Sequence, residues 1–363
     1  MKVKYSYLPR QFAEIDDLLK DIKKFVKTGD FTLGKPLDQF EKRFAKLMGS
    51  KYAIGVNSGT DAIKLSLKAF DIGRGDEVIT AANTFVATVG AIIELGAIPV
   101  FVDCDDTFCM NVDLVEKAIT KKTKAIVPVH FTGYMTNMKK INKIANKYKL
   151  VVVEDACQSI LASQDGKIAG NWGVTGCFSL HPLKNFNAFG DSGFIVTNNT
   201  KLYNRILLLR NHGLDNNNKL HEFGYVSRMD NLQAALLLNT FKQIKKIIKI
   251  RRNNANYYFK NLTKKLILNY EEKDQFNTYH TFVVHSKNRS NLQKYLKSKG
   301  IETKIHYPYL VNNMIEFKRY NFNKDTPKAS RQKNRILSLP IHQFLTNQQL
   351  SHVVKSINKF YEL

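Results

Sequence analysis

Hydrophobic positions along this 363-residue chain switch between two spacings. Short, nearly unbroken apolar runs alternate with stretches whose apolar residues fall three or four apart, as on one face of a helix. Residues 10–29 have the helical spacing, broken by the turn residues from Thr28 to Gly34. A second helix is predicted from Pro36 to Met48, with Leu37, Phe40, Phe44 and Leu47 on one face, ending near Gly49. Strands are predicted at Tyr52–Asn57, Gly75–Thr80, Ile98–Asp103, Lys124–His130 and Leu150–Asp155. Helices are predicted at Ala62–Phe70, from Asn83 to about Leu95, at Val112–Ile119 and at Met138–Tyr148. One further strand ends near Ser179 and another starts near Phe194. Apolar strands separated by helices predict an α/β fold: a mostly parallel sheet covered by helices on both faces.

The pattern changes after the helix at 200–211, which carries Leu202, Ile206 and Leu209. Leu214–Gly224 is polar and reads as a loop. A long helix is predicted from Arg228 to about Leu262, capped by Ser227 or Asp230 and able to bridge two domains. Tyr279–His285 alternates as a half-buried strand. Leu292–Lys299 reads as a helix and Ile301–Tyr307 as a strand. The expected organisation is a large α/β domain over residues 1–240 and a smaller C-terminal α+β domain over 241–363.

Composition narrows the function classes. No run of about eighteen apolar residues is present, the length a membrane span needs. The first residues have neither an apolar core nor a small-residue cleavage site. The expectation is a cytoplasmic protein with no membrane partner. The four cysteines, Cys104, Cys109, Cys157 and Cys177, lack metal-binding spacing, so no metal is expected. The net charge is +25, and residues 241–363 hold 25 Lys and Arg against 7 Asp and Glu. That segment is also rich in Asn and Ile, which matches A/T-rich codons as well as it matches a basic surface. It carries no nucleic-acid reading motif, and none is expected as a partner.

The candidate chemistry lies in the polar turn between the last two strands of the sheet. Phe178-Ser-Leu-His-Pro-Leu-Lys-Asn185 puts Lys184 in that turn, with Gly190 and Gly193 following. Asp155 ends a buried strand. Ser58-Gly59-Thr60-Asp61 joins a strand to a helix N-terminus, where free N–H groups and the helix dipole favour an anion. In parallel sheets ligands gather at the C-terminal strand ends, where Asp155, Ser58 and, by the same reading, His130 fall. A lysine for the aldehyde, a carboxylate for a pyridine nitrogen, an anion seat (Ser58–Asp61 and Ser179) and Phe85 as a stacking ring are what pyridoxal 5'-phosphate requires.

With those residues in place, the chain resembles the DegT/DnrJ/EryC1/StrS family of sugar aminotransferases, which are fold-type-I pyridoxal phosphate enzymes. The resemblance spans nearly the whole chain. It includes Asn57-Ser-Gly-Thr-Asp-Ala62, Asn83-Thr-Phe-Val-Ala-Thr88, Glu154-Asp-Ala-Cys-Gln158, the Phe178–Asn185 turn, Arg228-Met-Asp-Asn-Leu-Gln-Ala-Ala235 and Gly300-Ile-Glu-Thr-Lys-Ile-His-Tyr-Pro308. It implies that Lys184 is the catalytic lysine that bonds the cofactor, and that Asp155 faces the pyridine nitrogen. It implies that Gln158 bonds the ring hydroxyl, Gly59, Thr60 and Ser179 hold the phosphate, and Phe85 stacks. His306 and Tyr307 resemble the family's substrate-side pair. The resemblance also implies a homodimer with shared active sites. Its reaction would carry an amino group from L-glutamate to a keto-sugar, a nucleotide-linked keto-deoxyhexose in the leading reading, for cell-surface or secondary-metabolite amino sugars. The alternatives are a non-nucleotide keto-sugar of the 8-keto-octulosonate type and a non-catalytic pyridoxal phosphate-binding regulator. Relatives with histidine at the lysine position dehydrate instead; here Lys184 is present and His181 is three residues off register.

One departure stands out. Many members carry Gly-Tyr-Asn-x-Arg, with the asparagine reaching the phosphate across the dimer. This chain has Gly224-Tyr-Val-Ser-Arg228, and Val226 cannot donate a hydrogen bond. Ser227 and Arg228 are the residues placed to compensate.

Overall fold

Each apolar run of the first two hundred residues becomes a strand. The computed structural model describes residues 1–13, 15–314 and 325–362. It contains β1 (Tyr52–Val56), β2 (Glu77–Ala81), β3 (Ile98–Val102), β4 (Thr123–Val127) and β5 (Val151–Asp155). A short hairpin, β6 (Ser163–Gln164) and β7 (Lys167–Ile168), precedes β8 (Thr175–Ser179) and β9 (Gly193–Thr197). Seven of these form one sheet in the order β1-β9-β8-β5-β4-β2-β3. Only β9 runs against the others, pairing antiparallel with β1 and β8. The remaining neighbours pair in parallel. The mostly parallel α/β sheet expected from the sequence is present.

Both faces of the sheet are covered, which is why its strands carry no polar alternation. One face packs Phe40 and Phe44 of helix Lys35–Met48 against Phe178 and Phe194. The last two rings stack with centroids 4.6 Å apart. The other face packs Ile63, Leu65 and Leu67 of helix Gly59–Lys68 against Ile54, Val153 and Ile195. A third core holds Tyr258, Phe282, Leu339 and Val353. Its sheet is antiparallel, β10 (Ile267–Leu268), β12 (Phe282–His285) and β13 (Ile336–Leu339), in the order β10-β12-β13. Between them β11 (Gln275–Phe276) pairs with β6. No described helix is long and apolar enough to cross a membrane.

Several sequence expectations change. The long helix is broken into Asn231–Thr240, a 3-10 turn Phe241–Gln243, and Ile244–Asn261. The change of core falls inside the last of these: Leu237, Ile244 and Ile248 join the first, whereas Ala255 and Tyr258 join the third. Neither proposed cap acts as one. Asp230 holds the N-cap position without a side-chain bond, and the Ser227 hydroxyl donates to Asp61 at 2.9 Å. Val112–Ile119 forms two single 3-10 turns instead of a helix. The strand expected at Tyr279 starts only at Phe282, because Tyr279 turns into a left-handed conformation (φ 46°). Ile301–Tyr307 makes single bridges only, Ile301 to Val3 and Lys304 to Ser338. Residues 10–29 contribute to two helices, Leu8–Gln11 and Asp16–Val26, and residue 14 lies outside the described residues.

Glu154 ties the sheet to the turn beyond it. Its carboxylate is fully buried and accepts from the N–H groups of Gly170, Trp172 and Gly173 and from His130 Nε2. His130 Nδ1 in turn accepts from the Thr136 N–H. His130 is therefore a buried structural residue with both ring nitrogens engaged, and its place at a strand end does not bring it to a ligand site. Each donor stranded by removing the carboxylate costs about 1–3 kcal/mol. Glu154→Ala is expected to lower stability by at least about 3 kcal/mol, read as a shift of the urea unfolding midpoint, whereas Glu154→Gln should lose less.

Candidate active site

The C-terminal ends of β1, β2, β5 and β8 open onto one cavity of about 330 Å³. Its lining includes all nine residues singled out from the sequence: Gly59, Thr60, Phe85, Asp155, Gln158, Ser179, Lys184, His306 and Tyr307.

The anion seat follows from the turn after β1. Ser58 caps helix Gly59–Lys68, its Oγ accepting from the Asp61 N–H at 3.0 Å. Gly59 and Thr60 occupy the first two helical positions, so no carbonyl within the helix can take their N–H groups. The helix start presses directly on Ser179. A Cβ on Gly59 would meet Cys157 Sγ at 2.7 Å and Ser179 Cβ at 2.8 Å. Gly193 is required for the same reason, since a Cβ there would lie 2.5 Å from the Ser58 backbone. Ser179 Oγ accepts from the His181 N–H at 3.3 Å, which leaves its own proton to donate into the cavity.

Asp155 ends β5 at 6% exposure. Its oxygens accept from the Thr88 hydroxyl at 2.6 Å and the Cys157 N–H at 3.1 Å. Thr88 has one hydroxyl proton and gives it to Asp155. Thr84, 2.7 Å away, must then be the donor in the Thr84–Thr88 bond. Among the described residues the carboxylate has only these neutral donors and no ion pair. A buried carboxylate in that state suits a cationic N–H from a ligand.

Lys184 sits in a turn pinned at both ends. Its carbonyl accepts from the Tyr7 hydroxyl at 2.8 Å and its N–H donates to the His181 carbonyl. The adjacent Asn185 side chain donates to the Thr278 carbonyl. Burial holds the Lys184 amine below the ordinary lysine range, while Cys157 and Asp155 oppose that shift. A lysine with a lowered pKa supplies more of the neutral amine that attacks a carbonyl and takes up protons.

The remaining walls set orientation. Gln158 accepts from the Thr132 N–H and donates to the Tyr307 hydroxyl at 3.3 Å. The Tyr307 proton is thus left for a ligand, and burial holds that phenol above its usual pKa. Phe85 is half exposed, with its ring 5.6 Å from that of Tyr307. His306 Nδ1 bonds Ser338 Oγ at 2.8 Å, and burial lowers its pKa to about 4. The cavity also contains residues that sequence reasoning missed: Tyr5, Tyr7, Thr88, Arg251, His280 and His342. The alternation Val3-Tyr5-Tyr7 was a strand-like signal at the N-terminus. Val3 does pair with Ile301, which carries both tyrosines to the site.

Comparison with known proteins now decides the family. The family profile described as "DegT/DnrJ/EryC1/StrS aminotransferase family" matches residues 13–358. The chain belongs to this aminotransferase family. It is 36% identical over 368 residues to a pleiotropic regulatory protein of Geobacillus stearothermophilus, covering 99% of each. It is 36% identical to a UDP-N-acetyl-3-dehydro-alpha-D-glucosamine 3-aminotransferase of Acidithiobacillus ferrooxidans, covering 97% of this chain and 96% of that one. The solved structure of NtdA from Bacillus subtilis with bound cofactor PMP superposes with a TM-score of 0.93 at 32% identity, covering all of this chain and 86% of that one. The family uses pyridoxal phosphate. The seat at Gly59, the unpaired carboxylate of Asp155 and the desolvated amine of Lys184 fit that cofactor.

Two measurements follow from this geometry. Thr88→Val removes a donor to a charged acceptor, a bond worth about 1.5–3 kcal/mol. It is expected to weaken pyridoxal phosphate binding by at least about tenfold, measured by titrating the cofactor into apo-protein. His285, His306 and His342 each have a pKa lowered to about 4 by burial. The unfolded chain binds these protons first, so stability rises with pH between about 4 and about 6.5 and is lost on acidification through that window. The thermal midpoint should fall between pH 7 and pH 5, and fall less when His342 is replaced by glutamine.

Proposed function

We propose that this protein transfers the amino group of L-glutamate to a nucleotide-linked keto-deoxyhexose. The observation that carries the reading is the placement of Lys184, Asp155 and the Gly59–Thr60 helix start on one cavity. When bound, pyridoxal phosphate supplies an aldehyde that takes the amino group and a ring that accepts the electron pair released at the donor's Cα. Asp155, oriented by Thr88, holds the proton on the ring nitrogen. Gly59, Thr60 and Ser179 grip the phosphate, Gln158 bonds the ring hydroxyl, and Phe85 covers the ring. The Lys184 amine, already desolvated, moves the proton between the donor's Cα and the cofactor carbon. His306 and Tyr307 orient the sugar, with Tyr307 keeping its proton free to donate.

We further propose that the chain divides near residue 240, the helix Ile244–Asn261 reaching from the first core into the third. A homodimer with shared active sites is supported by the large apolar side chains left exposed at the cavity, Phe85 and Leu183, and by Phe223 and Val226. A reducing compartment, the cytoplasm, is supported by four unpaired cysteines. Ser227 does not replace the asparagine expected at 226. It is 1% exposed and its hydroxyl is spent on Asp61.

The test is the visible spectrum of cofactor-loaded protein before and after L-glutamate. Loss of the absorbance band, restored by 2-oxoglutarate, is expected in the wild type and absent in Lys184→Ala. A band that forms but ignores glutamate would refute the donor. In the proposed dimer, Val226→Asn should tighten cofactor binding about tenfold; an unchanged affinity would place residue 226 away from the partner's phosphate.

A further inference from the structure

One wall of the cavity is not used by the cofactor residues. It is built from Arg251 on helix Ile244–Asn261, from Tyr5 and Tyr7 at the N-terminus, and from His280, Thr281 and His342 beside the antiparallel sheet. Arg251 is 2% exposed. Its Nη1 donates to the carbonyls of Tyr279 and His280, each at 3.2 Å. Its Nε is buried without a partner. The Tyr7 ring lies 5.4 Å from the guanidinium carbon. Among the described residues no carboxylate pairs with Arg251. A guanidinium taken out of water without a counter-charge is costly, and such a group is kept neutralised by whatever anion can reach it.

The wall itself supplies no anion. Tyr5 and Tyr7 keep their protons, because burial raises both pKa values. His280 and His342 are held neutral by burial. Among the described residues the acidic ones lining the cavity are Asp155, already engaged by Thr88 and Cys157, and Asp191. Two more polar atoms here lack partners, Thr281 Oγ1 and His280 Nδ1. Two unpartnered polar atoms beside a cation whose own Nε is free describe a place for a small oxyanion.

We propose that this wall is the carboxylate subsite for the amino donor, with Arg251 as the counter-charge and Thr281 as a second hydrogen-bond donor. This rests on the aminotransfer reading and adds the group that selects the donor. A guanidinium fork matches a carboxylate in two parallel bonds. Arg251 is too enclosed for a nucleotide diphosphate, but an amino acid can reach it while its amino group meets the turn that carries Lys184. The ring of a keto-sugar is uncharged at its reacting end and makes no use of the cation. Arg251 therefore separates the two half-reactions by charge.

Maleate, a dicarboxylate without an amino group, tests the subsite without turnover. Its binding to cofactor-loaded protein is titrated in the wild type, in Arg251→Lys and in Thr281→Val. The expected Kd rises at least about thirtyfold in Arg251→Lys, where the fork is lost, and about fivefold in Thr281→Val. Cofactor content should be unchanged in both, and KM for glutamate should rise more than kcat falls. Wild-type binding of maleate by a cofactor-loaded Arg251→Lys variant would overturn the inference while leaving aminotransfer intact. If Arg251→Lys does not fold, unchanged maleate binding in Thr281→Val overturns it instead. Should the wild type bleach with a primary amine that lacks a carboxylate but not with glutamate, the donor reading and this subsite fall together.

Discussion

The Asp155 carboxylate is the point on which this structure depends. It is buried and, among the described residues, held by neutral donors alone, Thr88 and the Cys157 N–H. Its backbone is committed as well: its N–H donates to the Pro128 carbonyl, its carbonyl accepts from His130, and it faces Cys177 across β5 and β8. The residue cannot move without disturbing the middle of the sheet. A fixed, desolvated negative charge at a strand end therefore calls for a positive ligand group, and the rest of the cavity is arranged around where that group would sit.

The parallel sheet explains why so few residues suffice. β1, β2, β5 and β8 end on the same edge, so the turns after them deliver Gly59, Phe85, Asp155 and Ser179 to one place. Close approach is part of the design, since side chains at Gly59 or Gly193 would push the helix start away from Ser179. The long-range contacts run the other way. The N-terminal residues pair beside Ile301, and Tyr7 reaches back to bond the Lys184 carbonyl. The chain's first and last quarters thus close the site that the sheet opens.

Much of this was legible in the sequence because it is local. A buried apolar strand ending in Asp155, a small-residue turn at Ser58 and a lysine in a polar turn each carry their own pattern within a few residues. What stayed hidden depends on distant partners. The 3-10 turn at Phe241–Gln243 leaves the helical spacing uninterrupted, and the passage of helix Ile244–Asn261 from the first core into the third shows only in packing. The strand expected at Ile301–Tyr307 dissolves into single bridges, which leave no periodic trace. Arg251 reads as one of many basic residues in a C-terminal third dense with lysine, and only packing shows that it is buried. His130 had the right position in the chain but the wrong neighbours, since Glu154 and Thr136 use both of its ring nitrogens.

The central claim is that one lysine, Lys184, shares a cavity with a charge-bearing Asp155 and there holds the cofactor. The most direct measurement is to reduce the cofactor-loaded protein with borohydride, digest it, and locate the modified lysine by mass spectrometry. A single pyridoxyl group is expected, on Lys184. Modification of a different lysine, or none above the level of the borohydride-free control, would contradict it.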